Sequence, residues 1–299
     1  MSMFKLKRYS NLPIFSPKPE NPWEAAAVFN AGAIFYNDLV HLIYRATDIS
    51  SNGQAGSYIN SLGYAVSSDG IHFNRLEKPI LTNDTPQEQR GPEDPRIVKI
   101  GELFYMLYTG YGGRFDGDYR VCLATSKNLI KWDRVGVLLD EPNKDASLFP
   151  DKINGKFVML HRRVPDIWLC YSQDLLTWKD HTIVMKTKPE SNWENEKIGI
   201  SGPPIKTDAG WLLIYHGVSE DHFYRQGVAL LDLENPTKLI ARNPDPIFEP
   251  DLEWELKGHV NNVVFSCGHV ILDDKLYFYY GGADTAIGLA TMKLSDMSF

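Results

Sequence analysis

An aspartate held between prolines, and four basic residues scattered through an acidic chain, are the groups in this sequence best suited to chemistry. Asp94 stands in Gly91-Pro-Glu-Asp-Pro-Arg96. The neighbouring prolines stiffen the backbone that would hold its carboxyl in place, as an acid catalyst requires. Lys144, Arg162, Lys197 and His216 are suited to an oxyanion such as phosphate, which arginine grips as a fork and lysine as a point charge. Other chemistries lack their residues. The eight histidines show neither H-x-x-x-H nor H-E-x-x-H spacing, so no metal site is expected. There is no G-x-S-x-G, and the glycines of Tyr108-Thr-Gly-Tyr-Gly-Gly113 neither fit G-x-G-x-x-G nor open a helix. Cys170 reads as a mid-strand core residue. Taken singly, each polar candidate reads equally well as a surface charge or a hydrogen-bond partner at a strand end. Their weight depends on whether the fold gathers them.

The elements that would gather them repeat along the chain. Five times an apolar segment, a short polar turn and a second apolar segment occur in succession: AGAIFY, Asn37-Asp38, LVHLIYRA; PRIVKI, Gly101-Glu102, LFYMLYTG; LFPDKI, Asn154-Gly155, KFVMLHRR; PPIKTD, Ala209-Gly210, WLLIYHGV; and CGHVIL, Asp273-Asp274, KLYFYYGG. Such turn dipeptides between β-rich runs mark tight hairpins. A third apolar run follows each, and three of these runs carry Ser, then Asp or Asn, then an aromatic residue. The period of about sixty residues suits a four-stranded blade with one long loop, so the expected fold is all-β, a five-bladed β-propeller forming one domain over residues 1–299. No segment keeps a helical apolar stripe for three turns. A two-sheet sandwich would not explain one hairpin recurring at this period.

In a propeller, the start of each first strand and the end of each second strand emerge on the same face. That places Asn30, Asp94, Arg96, Lys144, Asp145 and Lys197 with Arg45, Tyr108, Arg162, Arg163, His216 and Asp284 at one mouth. Blades three and four contribute Lys144, Arg162, Lys197 and His216 to it, a basic arc in a chain that is acidic overall.

Composition narrows the partners. With 43% hydrophobic and 23% charged residues the chain can bury a core, and 7 Trp, 15 Tyr and 14 Phe suit strands and carbohydrate surfaces. The net charge of -7 gives no general pull toward nucleic acid or an anionic membrane, so any anion site must be local. Three widely spaced cysteines read as reduced thiols, and residues 1–15 hold no apolar run like that of a signal peptide, so a cytoplasmic location is expected. A homo-oligomer is compatible with the sequence.

Together, Phe29-Asn-Ala-Gly32, Glu93-Asp-Pro-Arg96, Leu148-Phe-Pro-Asp-Lys-Ile-Asn-Gly-Lys156, Met159-Leu-His-Arg162, Lys197-Ile-Gly199, Gly210-Trp-Leu-Leu-Ile-Tyr-His-Gly-Val218, Gly227-Val-Ala-Leu-Leu-Asp-Leu233 and Tyr279-Tyr-Gly-Gly-Ala-Asp284 resemble the β-mannoside phosphorylases of glycoside hydrolase family 130 over about residues 21–295. The resemblance implies a five-bladed propeller that cleaves a β-mannosidic bond with inorganic phosphate, inverting the anomeric centre to give α-mannose 1-phosphate. It implies Asp94 as general acid, acting through the 3-hydroxyl of the mannosyl unit, and Lys144, Arg162, Lys197 and His216 as the phosphate site. It also implies Asn30, Arg45, Arg96 and Asp284 as sugar ligands, with Tyr108 as an aromatic that could stack on a pyranose. Phosphate is already a nucleophilic anion, which explains why a single catalytic carboxylate stands out. Phosphate enters as co-substrate and no other cofactor is implied. The expected substrate is β-1,2-mannobiose or a short β-1,2-oligomannoside. The alternatives are a β-1,4-mannosyl-glucose or β-1,4-mannooligosaccharide phosphorylase, a β-mannosidase, or a non-catalytic sugar-binding propeller. Arg163 replaces a proline common in relatives, and Lys144 an arginine, which keeps charge but loses the fork. The acceptor side is expected to be built from loops 49–59 and 219–226.

Overall fold

The turn residues adopt the left-handed backbone that tight hairpins demand: φ is 50° and 59° at Asn37 and Asp38, 51° and 76° at Asn154 and Gly155, and 47° and 59° at Asp273 and Asp274. The structure is a computed structural model that describes residues 5–51, 58–115 and 117–296, so residues 1–4 of the N-terminal stretch read above lie outside it. Five antiparallel sheets follow in chain order. Blade one is Ala27–Tyr36, Leu39–Thr47, Asn60–Ser67 and Asn74–Arg75; blade two is Gly91–Ile100, Leu103–Tyr111, Tyr119–Ser126 and Trp132–Val137. Blade three is Lys144–Leu148, Phe157–Arg163, Asp166–Ser172 and Lys179–Met185. In blade four, Lys197–Ile200 and Ile205–Thr207 both pair with Gly210–Val218, followed by Tyr224–Leu231 and Leu239–Arg242. Blade five is Val264–Leu272, Lys275–Gly282 and Ala286–Lys293, completed by the N-terminal strand Lys7–Arg8.

The ring is visible in the core. Five apolar clusters each sit between two neighbouring blades: Ile43 and Leu62 against Ile97 and Phe104, Leu107 against Met159, Leu160 against Leu213, Leu212 against Leu276, and Leu42 against Tyr279. Burying such side chains contributes about 1.5–3 kcal/mol each, so every blade is held from both sides. The Ser-x-Asx signature is the turn after the third strand: Ser67, Ser126 and Ser172 each accept backbone N–H groups through Oγ, and Asp69, Asn128 and Asp174 through Oδ1.

A second repeat ties each blade internally. In four blades a buried glutamate accepts a tyrosine hydroxyl from the second strand and a guanidinium from the outermost strand. The sets are Glu24–Tyr44–Arg75, Glu88–Tyr108–Arg134, Glu194–Tyr215–Arg242 and Glu255–Tyr280–Arg8. The residue after each tyrosine, or after its counterpart His161 in blade three, points the other way across the strand. That row is Arg45, Thr109, Arg162, His216 and Gly281. The latch therefore fixes the strand end that carries functional side chains.

Candidate active site

The first strands of blades one, two, three and five each contain a bulge near their start, where the register shifts between Phe29 and Gly32, Glu93 and Arg96, Lys144 and Ser147, and Phe265 and Gly268. The extra residue takes the left-handed conformation in three of them, with φ of 48° at Asn30, 52° at Asp94 and 53° at Asp145. Asn and Asp tolerate this backbone better than other non-glycine residues, and a bulge re-aims the side chain out of the ladder.

One cavity of about 530 Å³ opens where these ends converge. It brings together seven of the ten expected residues: Asn30, Arg45, Asp94, Lys144, Arg162, Lys197 and Asp284. On one side, Asp94 accepts hydrogen bonds from Asn30 Nδ2 at 2.9 Å and Arg45 Nη1 at 3.3 Å. Arg45 also pairs with Glu93 at 2.9 Å, and Glu93 accepts from Asn60 Nδ2 at 2.7 Å. Burial pushes the Glu93 carboxyl up against the downward pull of Arg45. Burial likewise lifts Asp284 to about 6, opposed by Arg45 and reinforced by Asp94.

On the other side Lys144, Arg162 and Lys197 face the cavity. Between them Asp145, which carried no role in the sequence reading, is the hub. Its carboxylate lies 2.7 Å from Arg162 Nη1 and 3.5 Å from both His216 Nε2 and Arg96 Nη2. Burial alone would raise its pKa, but Arg162, His216 and Arg96 hold it well below the usual carboxylate range. Burial lowers His216 to about 3 despite Asp145, so its ring is neutral at physiological pH. Burial, then Arg162, lowers Lys197. Gly199 makes this hub sterically possible, because a Cβ there would stand 2.5 Å from His216 Cε1 and 2.8 Å from Asp145 Oδ2.

The three remaining expected residues lie elsewhere. His216 sits behind the cavity wall, fully buried, with its ring 4.6 Å from that of Phe265. Arg96 lies behind the wall too, its guanidinium donating to the carbonyls of Ser201, Ile200 and Asp94. Those bonds commit three of its five N–H groups to backbone carbonyls. Tyr108 is not at the mouth: it packs between blades one and two and donates its hydroxyl to Glu88 at 2.6 Å, so the expected pyranose stacking is not met. The cavity's own aromatics are Tyr58, Tyr111, Tyr119, Tyr224 and Phe265. Of the two acceptor loops, residues 52–57 lie outside the described residues, while Tyr58 and Tyr224 both line the cavity. Glu93 and Asp145 were legible as neighbours of Asp94 and Lys144; aligning the bulges would have shown that Asn30, Asp94 and Asp145 occupy one repeated place.

Asp284 makes a pH test available. A carboxyl raised from 3.8 to about 6 keeps its proton in the folded chain where the unfolded chain has lost it, so its contribution to stability is present below about pH 4 and is lost as pH rises through 6. The stability advantage of the wild type over Asp284→Asn is expected to shrink by roughly 2–3 kcal/mol between pH 4 and 7, read from urea unfolding. The buried histidines titrate identically in both proteins and cancel. A pH-independent difference would remove the shift.

Comparison with known proteins places the chain and its fold in a family. The sequence model of glycoside hydrolase family 130, described as β-1,4-mannooligosaccharide phosphorylase, matches residues 5–298. The chain is 61% identical over 297 residues to a 1,2-β-oligomannan phosphorylase of Thermoanaerobacter sp. (strain X514), covering 99% of this chain and 100% of the relative. It is 52% identical over 303 residues to a β-1,2-mannobiose phosphorylase of the same organism, covering 99% and 100%. The solved β-1,2-mannobiose phosphorylase from Listeria innocua, in complex with β-1,2-mannobiose, superposes with a TM-score of 0.88 at 30% identity, covering 98% of each chain. Five blades, the converging site and a family match over nearly the whole length lead to one assignment: the chain belongs to glycoside hydrolase family 130.

Proposed function

We propose that this protein is an inverting phosphorylase of β-1,2-mannosides, acting on β-1,2-mannobiose or short β-1,2-oligomannosides and releasing α-mannose 1-phosphate and a shortened sugar. The carrying observation is the division of one cavity into an acidic half around Asp94 and a basic half around Lys144, Arg162 and Lys197, in a chain of net charge -7. Asn30, Arg45 and Asp284 offer the sugar hydroxyls paired planar hydrogen-bond groups, the means by which one epimer is selected. Asp94 supplies the proton to the leaving oxygen, relayed through the mannosyl 3-hydroxyl. Phosphate, gripped by Arg162 as a fork and by the two ammonium groups as point charges, attacks C1 from the opposite face. Anionic Asp145, 2.7 Å from Arg162 Nη1, holds Arg162 from behind, so that its fork is in place before phosphate arrives. The high identity to relatives named for β-1,2 linkages favours that linkage over β-1,4.

Phosphate dependence tests the reading. Incubated with β-1,2-mannobiose, the enzyme is expected to form mannose 1-phosphate with phosphate present and to release almost no mannose without it. Equal mannose release in both cases would make it a mannosidase. Cys122, Cys170 and Cys267 are buried and unbridged, which supports the expectation of a reducing compartment.

A further inference from the structure

Blade three departs from the latch that holds the other four, and it departs at every position. Where they place a glutamate it has Asn143; where they place a tyrosine it has His161; where they place an arginine on the outer strand it has His181. A fourth position changes as well. The third-strand residue that pairs with the latch arginine is Ala65, Ala124, Ala229 and Ala290 in blades one, two, four and five. Each of these alanines is paired with the second-strand residue two before the tyrosine. In blade three the residue in that place, paired with Met159, is Cys170.

Three of the four replacements are metal-ligating types, and they converge. His161 Nε2 lies 3.0 Å from His181 Nδ1, and all three residues have donor atoms within 4.8 Å of one another. His161 and Cys170 are buried and His181 is half-buried, which leaves a route from solvent. A neutral hydrogen-bonded chain would need the two imidazoles alone. The Cys170 thiol, whose one contact of its own is a long 3.9 Å donation to the Met159 carbonyl, is no part of that chain.

We propose that blade three binds a zinc ion between His161, Cys170 and His181, a cation taking the place that an arginine holds in the other blades. Tetrahedral zinc sets nitrogen and sulfur donors about 3.3–3.8 Å apart, so the two rings must separate by a few tenths of an ångström and the sulfur must close in. The proton on Nε2 of His161 moves to Nδ1, and the Asn143 carboxamide turns so that its oxygen accepts it, giving up the bonds it now makes to the Arg162 N–H and Glu141 Oε1. Cys170 binds as thiolate and gives up one proton to solvent for each ion bound. The fourth coordination position is left to water on the half-exposed side.

Untagged protein, stripped with chelator and dialysed, is titrated with zinc chloride by calorimetry. One equivalent is expected to bind and to raise the thermal midpoint. Cys170→Ala, which installs the residue of the other blades, is expected to weaken that binding by about 100-fold or more while the variant remains folded. His181→Arg should do the same. Cobalt-loaded wild type should show a thiolate-to-cobalt charge-transfer band in the near ultraviolet that Cys170→Ala lacks. Absence of stoichiometric zinc binding in the wild type, or binding that survives either substitution, overturns the site. All these readouts are independent of phosphorylase activity.

Discussion

Asp94→Asn is expected to lower kcat for phosphorolysis of β-1,2-mannobiose by about 10²–10⁴-fold, the range over which a positioned general acid contributes. The substitution is nearly isosteric. Its carboxamide oxygen can still accept from Asn30 and Arg45, the two donors that now hold the carboxylate. Arg45 is not left unpaired, because Glu93 remains 2.9 Å away. Folding and sugar binding are therefore expected to persist while the proton donor is lost, and calorimetric titration with mannobiose separates the two. An aryl mannoside, whose leaving group departs without protonation, should recover much of the lost rate. If the asparagine variant keeps more than about a tenth of wild-type kcat, Asp94 is not the acid. If the wild type binds mannobiose and turns over nothing with or without phosphate, the propeller is a binding module.

Lys197→Met should raise the KM for phosphate by roughly 10–100-fold, the equivalent of one lost charge-assisted hydrogen bond, with a much smaller change in the KM for mannoside. Lys197 is the cleaner probe of the basic half because no carboxylate lies within ion-pair distance of its ammonium among the described residues, and its nearest ring is Tyr224 at 5.5 Å. Arg162→Ala would raise the same KM further, but it strips Asp145 of its partner at 2.7 Å. Breaking one side of a buried pair destabilises by about 3–5 kcal/mol, so its kinetic effect arrives mixed with a folding effect. An unchanged phosphate KM in Lys197→Met would place phosphate elsewhere.

The two residues whose placement differs most from expectation show where reading a strand from sequence stops. Tyr108 and Thr109 are adjacent, and alternation sends them to opposite faces, so a one-residue choice decides between core and mouth. The choice was available by comparison: Tyr44, Tyr215 and Tyr280 occupy the same row, and Trp23-Glu24, Trp193-Glu194 and Trp254-Glu255 repeat the other half of the latch. Arg96 differs for another reason. The bulge between Glu93 and Arg96 adds a residue to the strand, which breaks the alternation just before it, and the guanidinium turns behind the wall onto the carbonyls of Ile200 and Ser201.

The ring of five hairpins, the acidic balance of the chain and the concentration of polar residues at one mouth are legible without coordinates. Those properties are carried by local periodicity and turn chemistry, which act between near neighbours along the chain. That Asp145 joins Arg96, Arg162 and His216, that Asp284 is lifted to about 6, and that His161, Cys170 and His181 meet emerges from the folded chain alone. These depend on burial and on distances of a few ångströms between side chains on different strands; closing the ring brings Asp145 to Arg96 and His216, and Asp284 to Arg45 and Asp94, while pairing within blade three brings His161 to Cys170 and His181.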